Sequence, residues 1–221
     1  MRKRSLVLTV LGVLCLLAAL VWTGLNLWHE AHAETAVEQA LPQLESAIRE
    51  APAAQEPTTA EAPSMPSPAS EEAVTPDYLL NPEMEMPVSS VDGLDYIGIL
   101  EIPAIGLKLP VASEWSYANL NIAPCRYAGS AYLDTLVILG HNYPAHFKEL
   151  KSLRLGDAVQ FTDADGNVFS YTVSDFEQLR PDQVTDMISG DWDLTLFTCT
   201  VGGQLRLAVR CVREEAAPAI S

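Results

Sequence analysis

Hydrophobic and polar positions divide the chain into stretches of different character. From Ser5 to Trp28, 24 residues carry no charged side chain, behind a basic Arg2-Lys3-Arg4 tip. As a helix at ~1.5 Å per residue, such a run is roughly 36 Å long, enough to cross a ~30 Å hydrocarbon core with some tilt. From Glu30 to Arg49, Ala36, Val37, Ala40, Leu41, Leu44 and Ile48 fall near one helical face, with Pro42 expected to kink or split it. From Glu50 to Ser90 the pattern dissolves. Prolines recur at 52, 57, 63, 66, 68, 76, 82 and 87 among Ala, Ser, Thr and Glu. That composition buries too little apolar surface to offset its ordering entropy, so it reads as an extended acidic stalk.

Beyond Val91 the pattern becomes that of short strands. Tyr96–Ile102, Leu107–Val111 and the continuous apolar run Thr135–Gly140 are strand-like, as are the alternating stretches Ala158–Thr162 and Val168–Val173. Asp163-Ala164-Asp165-Gly166-Asn167 reads as a hairpin turn between the last two. Phe147, Leu150, Leu153 and Leu155 suggest a short helix stopped by Gly156-Asp157, and Ser113–Leu120 and Pro181–Ile188 suggest helical turns. Strands at Thr195–Thr200 and Leu205–Arg210 flank Gly202-Gly203 and close the pattern. Many short strands with frequent turns and little helix predict a compact β barrel. The expected organisation is 1–28 membrane anchor with a basic tip, 29–90 juxtamembrane helix and stalk, 91–214 barrel, and 215–221 tail.

Charge and cysteine positions then narrow the function. The net charge of −16 argues against a nucleic-acid partner, which needs a basic face. Arg2-Lys3-Arg4 predicts a cytoplasmic N-terminus with the remainder outside the cell. Ala31-His32-Ala33 has the small-x-small form of a signal cleavage site, but the apolar run exceeds the ~7–15 residues of a secretory signal. Cys15 falls in the span, which leaves Cys125, Cys199 and Cys211 outside, an odd number with at least one unpaired thiol. The cysteines and histidines lack zinc-site spacing, so neither a metal nor another cofactor is expected.

Cys199 ends an apolar strand, positioned and reachable at once. An unperturbed thiol, with a pKa of ~8.5, is little ionised at neutral pH and needs an acid/base partner. His29 and His32 lie too far toward the membrane, and His146 is expected on the surface of a short helix. His141, at the end of the Thr135–Gly140 strand, is the candidate base. Arg206, Ala208 and Arg210 share one face of the last strand. Arg206 is the preferred oxyanion partner because it lies nearer the turn after Cys199, with Arg210 in reserve. Cys211 alternates with Leu205, Leu207 and Val209 and is expected in the core; Cys125 stays open between core, free thiol and a disulfide with Cys211.

Gly140-His141-Asn142, Thr195-Leu196-Phe197-Thr198-Cys199-Thr200 and Arg206-Leu207-Ala208-Val209-Arg210 together resemble the ordered signatures of the sortase family. Tyr96–Pro103 and the Leu153-x-x-Gly156-Asp157 segment are similar as well. The resemblance implies a closed eight-stranded β barrel acting as a cysteine transpeptidase on the surface of Gram-positive bacteria. It implies Cys199 as the nucleophile that cleaves an LPxTG-like sorting signal through a thioester, His141 as the proton carrier and Arg206 as the oxyanion or backbone donor. The partners implied are surface proteins or pilins bearing the signal, and an amine acceptor from a cell-wall precursor or a pilin lysine. Two other readings share these residues: a cysteine peptidase that only hydrolyses, and a non-catalytic binding barrel with a structural Cys199.

Overall fold

The computed structural model describes residues 2–51 and 75–214. Most of the expected stalk, 52–74, and the tail, 215–221, lie outside the described residues. The first element, α1 (Arg2–Glu50), is a single helix that passes through Pro42 without a break. This differs from the expected split. A proline inside a free helix costs about 3 kcal/mol, but here the turns on either side are held by packing. Ala40, Leu44 and Ile48 are buried against the barrel, and burial of each large aliphatic side chain contributes about 1.5–3 kcal/mol. Lys108 pairs with Glu45 at 2.9 Å, and Gln43 Nε2 donates to Asp92 at 3.3 Å. From Val10 the described side chains of the apolar part of α1 are exposed, and this part is long and apolar enough to cross a membrane.

The last part of the expected stalk also lies on the barrel. α2 (Asp77–Leu80) carries Tyr78, whose ring stacks on Tyr132 at 4.7 Å, and Met86 is buried in the core. The folded region therefore begins ahead of Val91. Its Pro-rich sequence lacks periodicity, and single anchoring side chains leave no pattern to read.

Nine strands follow among the described residues: β1 (Ser89–Val91), β2 (Leu94–Ile102), β3 (Leu107–Ala112), β4 (Cys125–Ala128), β5 (Leu136–Leu139), β6 (Ala158–Asp163), β7 (Val168–Leu179), β8 (Leu194–Cys199) and β9 (Arg206–Arg213). Their order is β1-β2-β3-β4-β5-β8-β9-β7-β6, and β2 also pairs with β6. The last pairing closes an eight-stranded barrel, with β1 an added strand on β2. Helices α3 (Tyr117–Leu120) and α4 (Val184–Ile188) are single turns, and the apolar stretch after His141 forms a 3-10 helix over Lys148–Ser152. The Asp163 turn is as expected: its buried carboxylate accepts from the backbone of Asp165 and Asn167, the Asn167 amide and the Tyr132 hydroxyl.

The strands are covered on both faces. Leu100, Ile138, Phe161, Leu196 and Val209 fill the barrel interior. Ile99, Val137, Leu139, Phe197 and Ala208 point outward, beneath α1, Leu120 of α3 and Met187 of α4. Double coverage explains why β5 reads as an unbroken apolar run rather than an alternating one.

Candidate active site

The site arises from one parallel pairing. β5 and β8 run side by side with Leu139 opposite Phe197, and the Gly140 amide still donates to Phe197 O at 3.1 Å. Parallel neighbours end at the same edge of the barrel, so His141 and Cys199, each two residues further on, emerge there together. β9 returns antiparallel beside β8 and places Arg206 directly opposite Cys199. Leu139, Phe197 and Ala208 all belong to the outward cluster. With a side-chain period of two, His141, Cys199 and Arg206 lie on that same outer face of three adjacent strands.

The β8–β9 hairpin is fixed by its own hydrogen bonds. The Thr200 amide donates to Leu205 O at 2.9 Å, and the Gly203 amide to Thr200 O at 2.8 Å. Gly202 and Gly203 have φ of 86° and 72°, the left-handed region in which side chains are strained, so two glycines set this reversal. Next to Cys199, Thr198 is buried with a hydroxyl that has no hydrogen-bond partner among the described residues.

His141 is oriented by contacts that its sequence neighbourhood does not announce. Its Nε2 lies 3.2 Å from Asn121 Oδ1 just beyond α3. Because a carbonyl oxygen only accepts, this contact favours the tautomer with the proton on Nε2. The Tyr143 ring stands 4.6 Å from the imidazole, centroid to centroid. The Tyr143 hydroxyl is pushed up by burial first, then by the neighbouring charges of Glu30 and Cys199. The glycine before His141 is required by space: a Cβ on Gly140 would lie 2.5 Å from Phe147 Cδ2. Phe147, whose amide donates to His141 O at 3.0 Å, thus packs directly under the histidine's backbone.

His146 is not the surface residue expected. It is fully buried, with its ring parallel to that of His141 at 6.2 Å. The chain turns inward here, with the His146 amide bonded to Tyr143 O, instead of continuing the helical pattern outward. Neither ring nitrogen has a hydrogen-bond partner of good geometry. Burial, reinforced by repulsion from His141 and opposed by the Ile122 backbone, pushes its imidazole down to about 4. It is therefore neutral near pH 7. His32 stacks on Trp28 along α1, and the side chain of His29 lies outside the described residues.

The two arginines of β9 differ sharply. Among the described residues Arg206 donates only to backbone, Gly203 O at 3.0 Å and Leu205 O at 3.2 Å. Arg210, the reserve candidate, is 1% exposed. It bonds Glu177, Thr195 Oγ1 and the carbonyls of Asp186 and Met187. The carbonyls belong to α4, which covers this part of the outer face; its donors are committed to holding that helix down.

Cys199 is separated from the other thiols by its surroundings. Cys125 and Cys211 are free and buried, in the outer and inner clusters respectively, so the strand wall lies between them. Burial pushes each thiol up to about 12. Cys199 is partly exposed and opens on a cavity of about 460 Å³ that Thr200, Leu207 and Phe176 help to line.

Comparisons with known proteins identify the family of the barrel. The sortase domain family matches residues 100–214. Sortase A of Bacillus anthracis is 28% identical over 123 residues, covering 52% of this chain and 57% of that protein, so the chain spans little more than half of that relative. Sortase C1 of Streptococcus agalactiae superposes with a TM-score of 0.51 at 26% identity, over 66% of this chain and 80% of the other. A lid mutant of the same enzyme gives a TM-score of 0.50 at 25% identity, over 58% and 72%. The matched region starts within β2, ends just after β9 and includes His141, Cys199 and Arg206 in one closed barrel: the chain belongs to the sortase family.

Proposed function

We propose that this chain is a membrane-anchored cysteine transpeptidase acting on an LPxTG-like sorting signal. The observation that carries the reading is the meeting of His141, Cys199 and Arg206 on the outer face of β5, β8 and β9 at one barrel edge. The Cys199 proton passes to His141, and Sγ attacks the carbonyl carbon of the signal's threonine. The Arg206 guanidinium turns toward the oxyanion of the tetrahedral intermediate. The C–N bond breaks as the His141 imidazolium protonates the leaving amine, which leaves a thioester on Cys199. An incoming amine then attacks the thioester, His141 removes its proton, and Cys199 leaves as the thiolate. A cell-wall precursor or a pilin lysine supplies that amine; water in its place gives hydrolysis.

The exposed apolar part of α1 serves as the anchor, with Arg2-Lys3-Arg4 on the cytoplasmic side and the barrel outside. The test is to incubate the full chain in detergent with LPxTG-type peptides and an amine acceptor. Amide product that depends on the acceptor, together with a peptide adduct at Cys199, is expected. Absence of both turnover and adduct overturns the reading, whereas hydrolysis unaffected by amines makes the protein a peptidase.

A further inference from the structure

The cavity beside Cys199 carries a charge opposite to that of the chain as a whole. The chain has 29 acidic residues against 13 basic ones. Yet the cavity lining includes Lys148 and Lys151 and no carboxylate. Lys148 forms no ion pair among the described residues, and Lys151 has only an exposed contact with Glu149 at 3.8 Å, a geometry that neutralises little. Arg206, opposite Cys199, also has no carboxylate partner among the described residues. By contrast Lys108, Arg180, Arg210 and Arg213 are each paired with a carboxylate. Arg49, Arg126 and Arg154 also lack a carboxylate partner among the described residues, but Lys148 and Lys151 are the cations that line the cavity with Cys199, and a cleft with one sign of charge concentrates ligands of the other.

The cavity is apolar beneath this rim, where Leu153, Phe176 and Leu207 line it. At about 460 Å³ it is large enough for an aliphatic side chain and its neighbours in an extended peptide. An incoming ammonium acceptor is repelled by the same lysines, so the cavity suits the acyl donor better than the acceptor. Resting on the transpeptidase reading above, we infer that Lys148 and Lys151 select sorting-signal peptides that bear a carboxylate within a few residues of the scissile bond. The acidic group sits at the lysine rim while the apolar side chain fills the cavity.

The experiment uses the full chain in detergent and three donor peptides, identical except for Glu, Gln or Lys at the variable position before the threonine. Exposed charge pairs are individually weak, so the expected preference in kcat/KM for Glu over Gln is about three- to tenfold, with Lys poorest. The preference contracts at about 0.5 M salt, where screening is strong. The double variant Lys148→Glu/Lys151→Glu, checked for an unchanged melting temperature, is expected to favour the Lys peptide.

Equal rates for the three peptides, or a Glu preference that survives the double reversal, overturn the inference while leaving the transpeptidase reading intact. A parallel series varies charge on the acceptor amine; a preference for acidic groups found only there overturns the assignment to the donor. Failure of all peptides to react, with no adduct at Cys199, removes the transpeptidase reading and this inference together.

Discussion

Arg210 and Glu177 form a buried-to-surface ion pair, with Nε donating to Oε2 at 2.7 Å, across the β7–β9 ladder. That pair distinguishes the two arginines of the last strand. Removing Arg210 leaves Glu177, Thr195 and the end of α4 without their donor. Arg210→Ala is therefore expected to lower stability by about 3 kcal/mol, measured by urea unfolding, because breaking a buried pair strands its partners. Arg206→Ala is expected to leave stability nearly unchanged and to reduce kcat by about 10²–10³-fold, as loss of an oxyanion donor does. Loss of activity in Arg210→Ala without loss of stability would reverse the assignment.

His146 predicts a pH dependence of folding. Its imidazole titrates near 6.5 in an unfolded chain and at about 4 here, so between these values the unfolded state binds the extra proton. The stabilisation is complete above pH ~6.5 and disappears as pH falls toward ~4, a loss of about 3 kcal/mol from this group. His146→Phe fills the same space without unsatisfied nitrogens. Comparison of urea midpoints at about pH 4.5 and 7.5 is expected to give a smaller acid loss for the variant than for the wild type.

Thiol chemistry offers a direct check on the cysteines. In a Cys15→Ser background, a thiol reagent at neutral pH is expected to modify Cys199 promptly. Cys125 and Cys211 react only when the protein is unfolded, since both are buried with thiols pushed up to about 12. Mass spectrometry of the native protein should find one adduct, and of the denatured protein three. Rapid native labelling of Cys125 or Cys211 would contradict the packing of these strands.

Gly140→Ala tests the contact that sets the histidine. The added methyl meets the Phe147 ring, so either the ring or the Gly140–His141 backbone shifts. Overpacking of this kind costs about 1–3 kcal/mol, and a displacement of about 1 Å at a reacting group costs on the order of 10²-fold in rate. The expected result is a folded protein with strongly reduced turnover. Wild-type kcat in this variant would mean that Phe147 has no part in placing His141.

The strand-end positions of His141 and Cys199 were legible in the sequence because apolar runs stopped immediately before both. The position of Arg206 beside Cys199 followed from its closeness to the turn after that cysteine. What escaped the reading depends on contacts between distant segments. His146 is buried because its turn folds inward, and residue spacing does not encode that. Whether Arg210 faces water depends on α4, which covers it from another part of the chain. Asn121 meets His141 from twenty positions away, and nothing in its local sequence marks it. For α1 the apolar face was visible, but the barrel that occupies it was not.

The docking of α1 bears on how the Pro-rich segment can act. Leu44 and Ile48 precede it against the outside of the barrel, while Tyr78 and Met86 follow it packed on the barrel core. A segment fastened at both ends to one body sets no distance between that body and anything else, however long it is. It also follows that a protease cut between 52 and 74 would break the covalent chain without by itself releasing the barrel. The severed helix would remain seated through its buried Ala40, Leu44 and Ile48 until those apolar contacts separated.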